Sequence, residues 1–236
     1  MESLTYEYFQ HYFEEEQVNR PPFLKCNGFA VAISRDYGCD AMGVALSLME
    51  LLNADKTLSD NHKQWEIVDS EVIRQVGKEL KLNTDKVTEI STANPGVIDQ
   101  ILKAFDAYDK DEALFKALRG VIDAYMQRGN VIFVGRGAGF YGQKIPNVLN
   151  VRLVGDLEYR IHALAQKQNI TLDESRKTIR EQGAKRERFI QMLSGETDVH
   201  YDLVMDREVF TTVGTAHFLK EALKAKKEEY GKIKGE

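Results

Sequence analysis

The chain has 236 residues, a formal net charge of −5 and a hydrophobic content of 43%. This length is enough for one large α/β domain or two small ones. No apolar run approaches the roughly 20 residues of a membrane-spanning helix, and the N-terminus lacks the basic start and apolar block of a secretory signal. The acidic balance argues against binding of a nucleic acid polymer. We therefore expect a cytoplasmic protein without a membrane partner.

Residues 1–27 are predicted to form an N-terminal helical extension that ends at the pair Pro21-Pro22. Its aromatic residues favour packing on the domain itself or on a second subunit, so a homodimer through this helix is one alternative. The extension precedes a main domain at 28–226, and a charged tail is expected at 227–236.

The first unit of the main domain is a strand, a glycine turn and a helix. The apolar run at 29–33 predicts a buried parallel strand, and a helix resumes at Ala41. This arrangement places a helix N-terminus in front of a phosphate in many proteins. Gly38 and Gly43 have the glycine spacing of GxxxxGK[ST], but Val44 and Ala45 stand at the lysine and hydroxyl positions. The motif alone is compatible with two interpretations, a phosphate-binding turn and a purely structural turn.

Further strands alternate with helices along the rest of the chain. Short apolar runs predict strands at 65–69, 131–134, 150–154 and 201–205. Amphipathic helices lie between and after them, a helical insertion is expected at 84–112, and a basic, lid-like region at 172–198. This alternation predicts a parallel sheet covered by helices on both faces.

Residues 135–139, Gly-Arg-Gly-Ala-Gly, follow the strand at 131–134. A dinucleotide site would need a helix directly after this turn, whereas 140–147 is broken by glycine and proline. Arg136 is more informative, because ligands of α/β sheets bind at the carboxyl ends of strands. A guanidinium there suits a bidentate phosphate contact. An ion pair with a neighbouring carboxylate is the alternative.

Two further sets of residues are candidates for chemistry. The arginines and lysine at 176, 180, 185 and 188 recur at helical spacing and form either a solvated face or a lid that closes on a phosphoryl group. The five histidines are scattered without the spacing of metal ligands, so we predict no metal held by the protein itself.

Four motifs occur together in a characteristic order: Ser34-Arg35-Asp36-Tyr37-Gly38, Val131-Ile132-Phe133-Val134-Gly135-Arg136-Gly137-Ala138, Asn150-Val151-Arg152-Leu153-Val154, and Lys185-Arg186-Glu187-Arg188 followed by Tyr201-Asp202-Leu203. In this order they resemble the cytidylate kinase-like family of P-loop phosphotransferases. The resemblance implies a P-loop NTPase-like three-layer α/β/α fold, with a central parallel sheet and a helical lid or insertion.

The resemblance also implies ATP and Mg²⁺ as cofactors and a nucleotide partner, CMP or dCMP, as the phosphate acceptor. Arg136 would bind the acceptor phosphate. Arg186 and Arg188 would be catalytic lid cations, and Arg35 would partly replace the missing lysine. The donor phosphates would lie against Gly38, Cys39, Asp40, Ala41, Met42 and Gly43.

Two hypotheses about function follow. The first is an ATP-dependent nucleoside monophosphate kinase with a degenerate P-loop. The second is an inactive nucleotide-fold protein with a regulatory or partner-binding role. The second draws on two departures from the family pattern: Cys39-Asp40-Ala41 replaces the serine and two glycines of GSGG, and Gly137 replaces an acidic residue.

Overall fold

A computed structural model of the chain describes residues 28–58, 63–69, 122, 125–126, 128–135, 137–143, 145–194 and 198–234. The predicted N-terminal extension, the insertion at 84–112 and Arg136 lie outside the described residues. The elements with defined bounds are β1 (Ala30–Arg35), α1 (Ala41–Ala54), β2 (Glu66–Val68), β3 (Val131–Val134), α2 (Ala138–Gly142), β4 (Val148–Val154), α3 (Leu157–Gln168), α4 (Leu172–Ser194), β5 (Leu203–Asp206) and α5 (Thr212–Lys234).

The described strands form one parallel sheet in the order β2-β3-β1-β4-β5. β1 is central, and its Ile33 is in register with Val134 of β3 and Val151 of β4. The chain leaves β1 toward β2 and leaves β4 toward β5, so the loops after these neighbouring strands diverge. In open α/β sheets the crevice at such a point is where ligands bind. We call it the β1–β4 crevice.

Helices cover both faces of this sheet. On one face α1 and α5 pack together on β1 and β4, and Val31, Val151 and Leu219 are among the fully buried residues of that core. Because side chains alternate along a strand, Ser34 and Asn150 point to the opposite face, where they lie close to Gly139 of α2. The predicted three-layer α/β/α class is confirmed.

Helix α4 is tied to α3 by a buried hydrogen bond and a small apolar cluster. The hydroxyl of Ser175 donates to the carbonyl of Ile161 at 2.7 Å. Ile161, Leu164 and Ile179 are buried together, and Tyr37 from the loop after β1 packs against them. This packing holds the basic helix α4 beside the β1–β4 crevice.

Two segments differ from expectation. A short helix of five residues does follow the glycine turn. It forms because Gly137 adopts φ 75° and its carbonyl accepts from the N–H groups of Phe140 and Tyr141. The expected charged tail is helical as far as Lys234, where α5 ends. The ring of Tyr230 lies edge-on to Phe29 at 5.6 Å, which gives this end of α5 an apolar contact. None of the described helices combines the length and apolar character of a membrane span.

Candidate active site

The loop after β1 makes a tight turn against α3. Gly38 has φ +102°, and a Cβ at this position would lie 2.8 Å from the Cβ of Arg160. Glycine is required here by the backbone conformation and by the close approach of α3. The Arg160 guanidinium closes the turn, because Nη1 donates to the carbonyl of Tyr37 at 3.3 Å and Nε donates to that of Gly155 at 2.9 Å.

The N-terminus of α1 carries a carboxylate of the chain itself. Asp40 is the N-cap with φ 48°, and its Oδ1 accepts from the N–H of Gly43 at 3.2 Å. The same Oδ1 forms an ion pair with Lys167 at the last turn of α3. The positive end of the helix dipole stabilises a carboxylate at a helix N-terminus just as it stabilises a phosphate there. Asp40 therefore stands where the sequence predicts donor phosphate.

Arg207, directly after β5, also binds the same loop. Its side chain is buried, and Nε donates to the carbonyl of Cys39 at 3.2 Å. Nη1 donates to the carbonyl of Phe210 at 2.6 Å and the hydroxyl of Thr215 at 2.5 Å, and Nη2 donates to Thr212 Oγ1 at 3.0 Å. These bonds fix the loop to the start of α5, so Arg207 has a structural role.

The Cys39 side chain is buried under the turn. Burial raises the pKa of its thiol to about 11, and the carboxylate of Asp36 acts in the same direction. The thiol is therefore protonated at neutral pH and is neither a nucleophile nor a metal ligand in this state. Its contribution to the loop is apolar packing.

Arg186 of α4 lies over the ring of Tyr37, with 4.6 Å between its Cζ and the ring centroid. Burial lowers the pKa of its guanidinium, and Tyr37, Cys39 and Asp36 oppose that shift. Within the described ranges, no carboxylate comes within ion-pair distance of it. Arg188 is exposed, and residues two apart on a helix do not face each other. The structure thus brings Arg186, and not Arg188, to the loop.

Arg35 extends from the end of β1 across the start of the turn after β3. Its Nη1 occupies the space that a Cβ of residue 135 would need, and Gly135 has φ +78°. Because residue 135 is glycine, the Arg35 side chain has room to run along the carboxyl edge of the sheet. Arg136 is the next residue in the chain and lies outside the described residues, so its predicted role stays a prediction.

Arg152 of β4 was not singled out from the sequence, yet it reaches the crevice. Its Nη2 donates to Asp36 Oδ1 at 3.1 Å, and its Cζ lies 5.8 Å from the centroid of the Tyr201 ring. It is the exposed residue of an otherwise largely buried strand. A charged residue within an apolar strand, close to its carboxyl end, is the signal that sequence reasoning passed over.

Asn150, also missed, fixes the segment that follows α4. Its Nδ2 donates to the carbonyl of Gly139 at 2.8 Å and to that of His200 at 2.6 Å. Its backbone N–H donates to Asp202 Oδ2 at 2.7 Å, and the same oxygen accepts from Lys226 of α5. This network positions Tyr201 beside Arg152. In the part of the chain that the structure describes, no group of three acidic, histidine or cysteine side chains is arranged to hold a metal ion.

A sequence model of the cytidylate kinase-like family matches residues 30–209, most of the chain and all of the crevice. An uncharacterized protein from Eubacterium ventriosum superimposes with a TM-score of 0.56 at 13% identity, over 84% of this chain and 98% of that chain, which shows a shared fold. TT1252 from Thermus thermophilus gives a TM-score of 0.45 at 13% identity, over 84% and 97%. A stretch of 96 residues is 38% identical to the catalytic subunit of the V-type proton ATPase of Beta vulgaris; it spans 39% of this chain and 15% of that protein.

Proposed function

This chain belongs to the cytidylate kinase-like family, and from that premise we propose that it is a nucleotide-binding phosphotransferase. It takes ATP as donor and a pyrimidine nucleoside monophosphate, CMP or dCMP, as acceptor. The observation that carries the proposal is the meeting of Arg186 with the loop after β1 at the β1–β4 crevice. Phosphoryl transfer depends mainly on positioning and on cations that stabilise developing charge.

Arg186 has the surroundings that such a cation requires. Its guanidinium is partly buried, lies over the ring of Tyr37, and has no carboxylate partner among the described residues. A desolvated positive charge without a counterion is costly, so an anion that binds beside it gains more than it would at an exposed arginine. We assign Arg186 the role of stabilising the transferred phosphoryl group. Arg35, Arg136 and Arg188 remain proposed contacts of the phosphates.

For the donor, the loop fits a phosphate only after the carboxylate of Asp40 has moved. The N–H of Gly43 and the ammonium group of Lys167 both contact Asp40 Oδ1. A phosphate that replaced this oxygen would meet the same two donors, so Lys167 would supply the cation that the loop lacks. Lys167 replaces the P-loop lysine in this proposal.

Among the residues that the structure describes, none are arranged as a Mg²⁺ site. The P-loop position that supplies a hydroxyl ligand is Ala45 here, and the described residues contain no cluster of metal ligands. We therefore assign no step of the reaction to a protein-bound metal. Mg²⁺ enters the proposal only as the ion that accompanies ATP through its phosphates.

A second function is favoured by the closure of the loop. Asp40 occupies the N–H of Gly43 that would otherwise face a triphosphate, and Arg160 and Arg207 hold the loop in this conformation through the carbonyls of Tyr37 and Cys39. If that closure persists, the protein binds a nucleotide or a partner without turnover and acts as a regulatory member of the family.

The test is ADP formation from ATP with Mg²⁺ and CMP, dCMP, UMP or AMP, alongside thermal unfolding with each nucleotide. We expect turnover with CMP or dCMP, and a loss on the order of 10²-fold in kcat for Arg186→Gln. The control is Arg176→Gln, because Arg176 is an exposed arginine of the same helix, paired with Glu158 at 3.0 Å. Nucleotide-dependent stabilisation without ADP formation would establish the second function. If millimolar nucleotide produced neither stabilisation nor turnover, the kinase proposal and nucleotide binding by the second function would both be refuted.

A further inference from the structure

Two arginines from different elements contact consecutive residues of the loop after β1, Asp36 and Tyr37, at the β1–β4 crevice. Asp36 Oδ1 accepts from Arg152 of β4 at 3.1 Å. Asp36 also acts electrostatically on Arg186 of α4, although it is not within ion-pair distance of that side chain. Asp36 therefore pairs with one of the two guanidiniums, and no carboxylate of the described residues pairs with the other.

Both guanidiniums are held by aromatic rings in a way that leaves donors available. Arg186 lies over Tyr37 at 4.6 Å and Arg152 lies near Tyr201 at 5.8 Å. Contact with a ring face orients a guanidinium without using its N–H groups. Of the five N–H donors of Arg152, one is used, by Asp36, within the described residues. The remaining edge suits the oxygens of a phosphate.

The register of the sheet explains why Arg152 faces the crevice. Arg152 is opposite Ser34 of β1, two residues before Asp36, so its side chain lies next to the carboxyl end of the central strand. Its side chain is 46% exposed and that of Asp36 is 27% exposed, so ligand has access to the pair. Val204, its neighbour on β5, is 61% exposed, so the sheet is open on this side.

We propose that Arg152 and Arg186 together form a binding site for a phosphate group, and that Asp36 orients Arg152 and Tyr37 orients Arg186 while the site is empty. The ligand class is a phosphate monoester, for which the acceptor of the proposed reaction is the first candidate. The site is built from different residues than the N-terminus of α1, where Asp40 and Lys167 mark the proposed donor position. The inference deepens the proposed function, because it names the residue that selects a phosphorylated acceptor.

The experiment measures the affinity of the full chain for inorganic phosphate, CMP and ATP with Mg²⁺, by the ligand-dependent rise in unfolding temperature. The proteins are wild type, Arg152→Gln, Asp36→Asn and the control Arg176→Gln, whose arginine is also 46% exposed and paired to one carboxylate. Unfolding without ligand shows that each variant folds.

We expect Arg152→Gln to weaken phosphate and CMP binding by about tenfold or more, the effect of losing charge-assisted hydrogen bonds. Asp36→Asn should strengthen both, because a competing anion is gone. A loss confined to ATP would place the donor's phosphates on Arg152 and overturn the acceptor assignment. Arg152→Gln behaving like Arg176→Gln with all three ligands would overturn the site itself.

The proposed function and this site fail in different ways. Phosphate binding that depends on Arg152, without binding of any nucleotide, would leave the site standing and remove the kinase proposal. Nucleotide turnover that is unchanged by Arg152→Gln would support the kinase proposal and remove the Arg152 site.

Discussion

The β1–β4 crevice has two halves that differ in how their polar groups are satisfied. In the loop half, Gly38 to Gly43, the helix N-terminus holds Asp40, and Arg207 binds the carbonyl of Cys39. In the arginine half, Arg152 pairs with Asp36 and Arg186 lies over the ring of Tyr37. The first half is complete without a ligand, whereas the second has an excess of positive charge. In the loop half a ligand must therefore displace Asp40 from the helix N-terminus, whereas in the arginine half it competes with Asp36 for Arg152.

The cost of that displacement is modest. An N-cap hydrogen bond is worth about 1 kcal/mol, and an exposed ion pair such as Asp40–Lys167 adds at most about 1 kcal/mol. Together they would lower the affinity for ATP by roughly tenfold or somewhat more. If the proposed donor site is correct, closure of the loop half would weaken donor binding without abolishing it.

The largest effect is expected at Arg207, which holds the loop half closed from β5. Arg207→Met should lower the free energy of unfolding by at least about 3 kcal/mol, because it leaves buried carbonyl and hydroxyl acceptors without donors. Urea unfolding measures the loss. Arg176→Gln serves as the exposed control, with an expected loss below about 1 kcal/mol. A loss at Arg207 no larger than that of the control would show that the brace contributes nothing.

The next effect is expected at the turn itself. Gly38→Ala should cost about 1–3 kcal/mol of unfolding free energy, because a Cβ would meet Arg160 and the backbone has a positive φ. Gly183 of α4 is the matched control, since a Cβ added there would meet nothing within 4 Å and its backbone is helical. Gly183→Ala should instead stabilise the protein by about 0.5–1 kcal/mol. Equal effects at the two glycines would contradict the tight contact with α3.

A smaller effect is expected in how the free energy of unfolding depends on pH, and it arises from the Cys39 thiol. The folded protein raises the pKa of this thiol to about 11 from 9.0, so the unfolded chain loses its proton first as pH rises. Stability is therefore lost above about pH 9, by about 1 kcal/mol at pH 10. Unfolding at pH 7 and pH 10 for wild type and Cys39→Ala checks this, because the variant should lack that part of the decline. The same slope in both proteins would refute it.

Thiol labelling provides an independent check on the loop half. In a Cys26→Ser background Cys39 is the remaining cysteine of the chain. At pH 8 its native reaction with a disulfide reagent should be about 100-fold slower than after unfolding, because the thiolate fraction falls by that factor. Rapid labelling of the native protein would mean that the loop opens readily.

The fold was largely predictable because its signals are local. Apolar runs and the Gly38 turn specify β1, α1 and the alternation that produces a parallel sheet. The extra helical turns of α5 were not predictable from charge patterning, since they depend on Tyr230 meeting Phe29 from the far end of the chain. The short helix α2 depends on the αL conformation of Gly137, which sequence allows but does not require.

The site was predictable only in part. The sequence indicates the loop and Arg186, which the structure brings together. It does not indicate Lys167, Arg207 or Arg152 as neighbours of the loop, because these residues arrive through crossovers that set the strand order. For Arg152 a usable signal existed, a charged residue in a buried strand. For Lys167 none did, since it is one of many lysines on exposed helical surface.

The difference between the two halves is tested most directly by titrating ATP with Mg²⁺ and CMP into wild type and Asp40→Asn. Asparagine keeps an N-cap oxygen and tolerates the left-handed backbone, so only the charge is lost. We predict that Asp40→Asn binds ATP up to about fivefold more tightly, the equivalent of the ion pair with Lys167, and CMP with unchanged affinity. Asp55→Asn is the control, because Asp55 pairs with Lys220 at the other end of α1. Weaker ATP binding by Asp40→Asn, or an equal change for CMP, would contradict the assignment of the loop half to the donor.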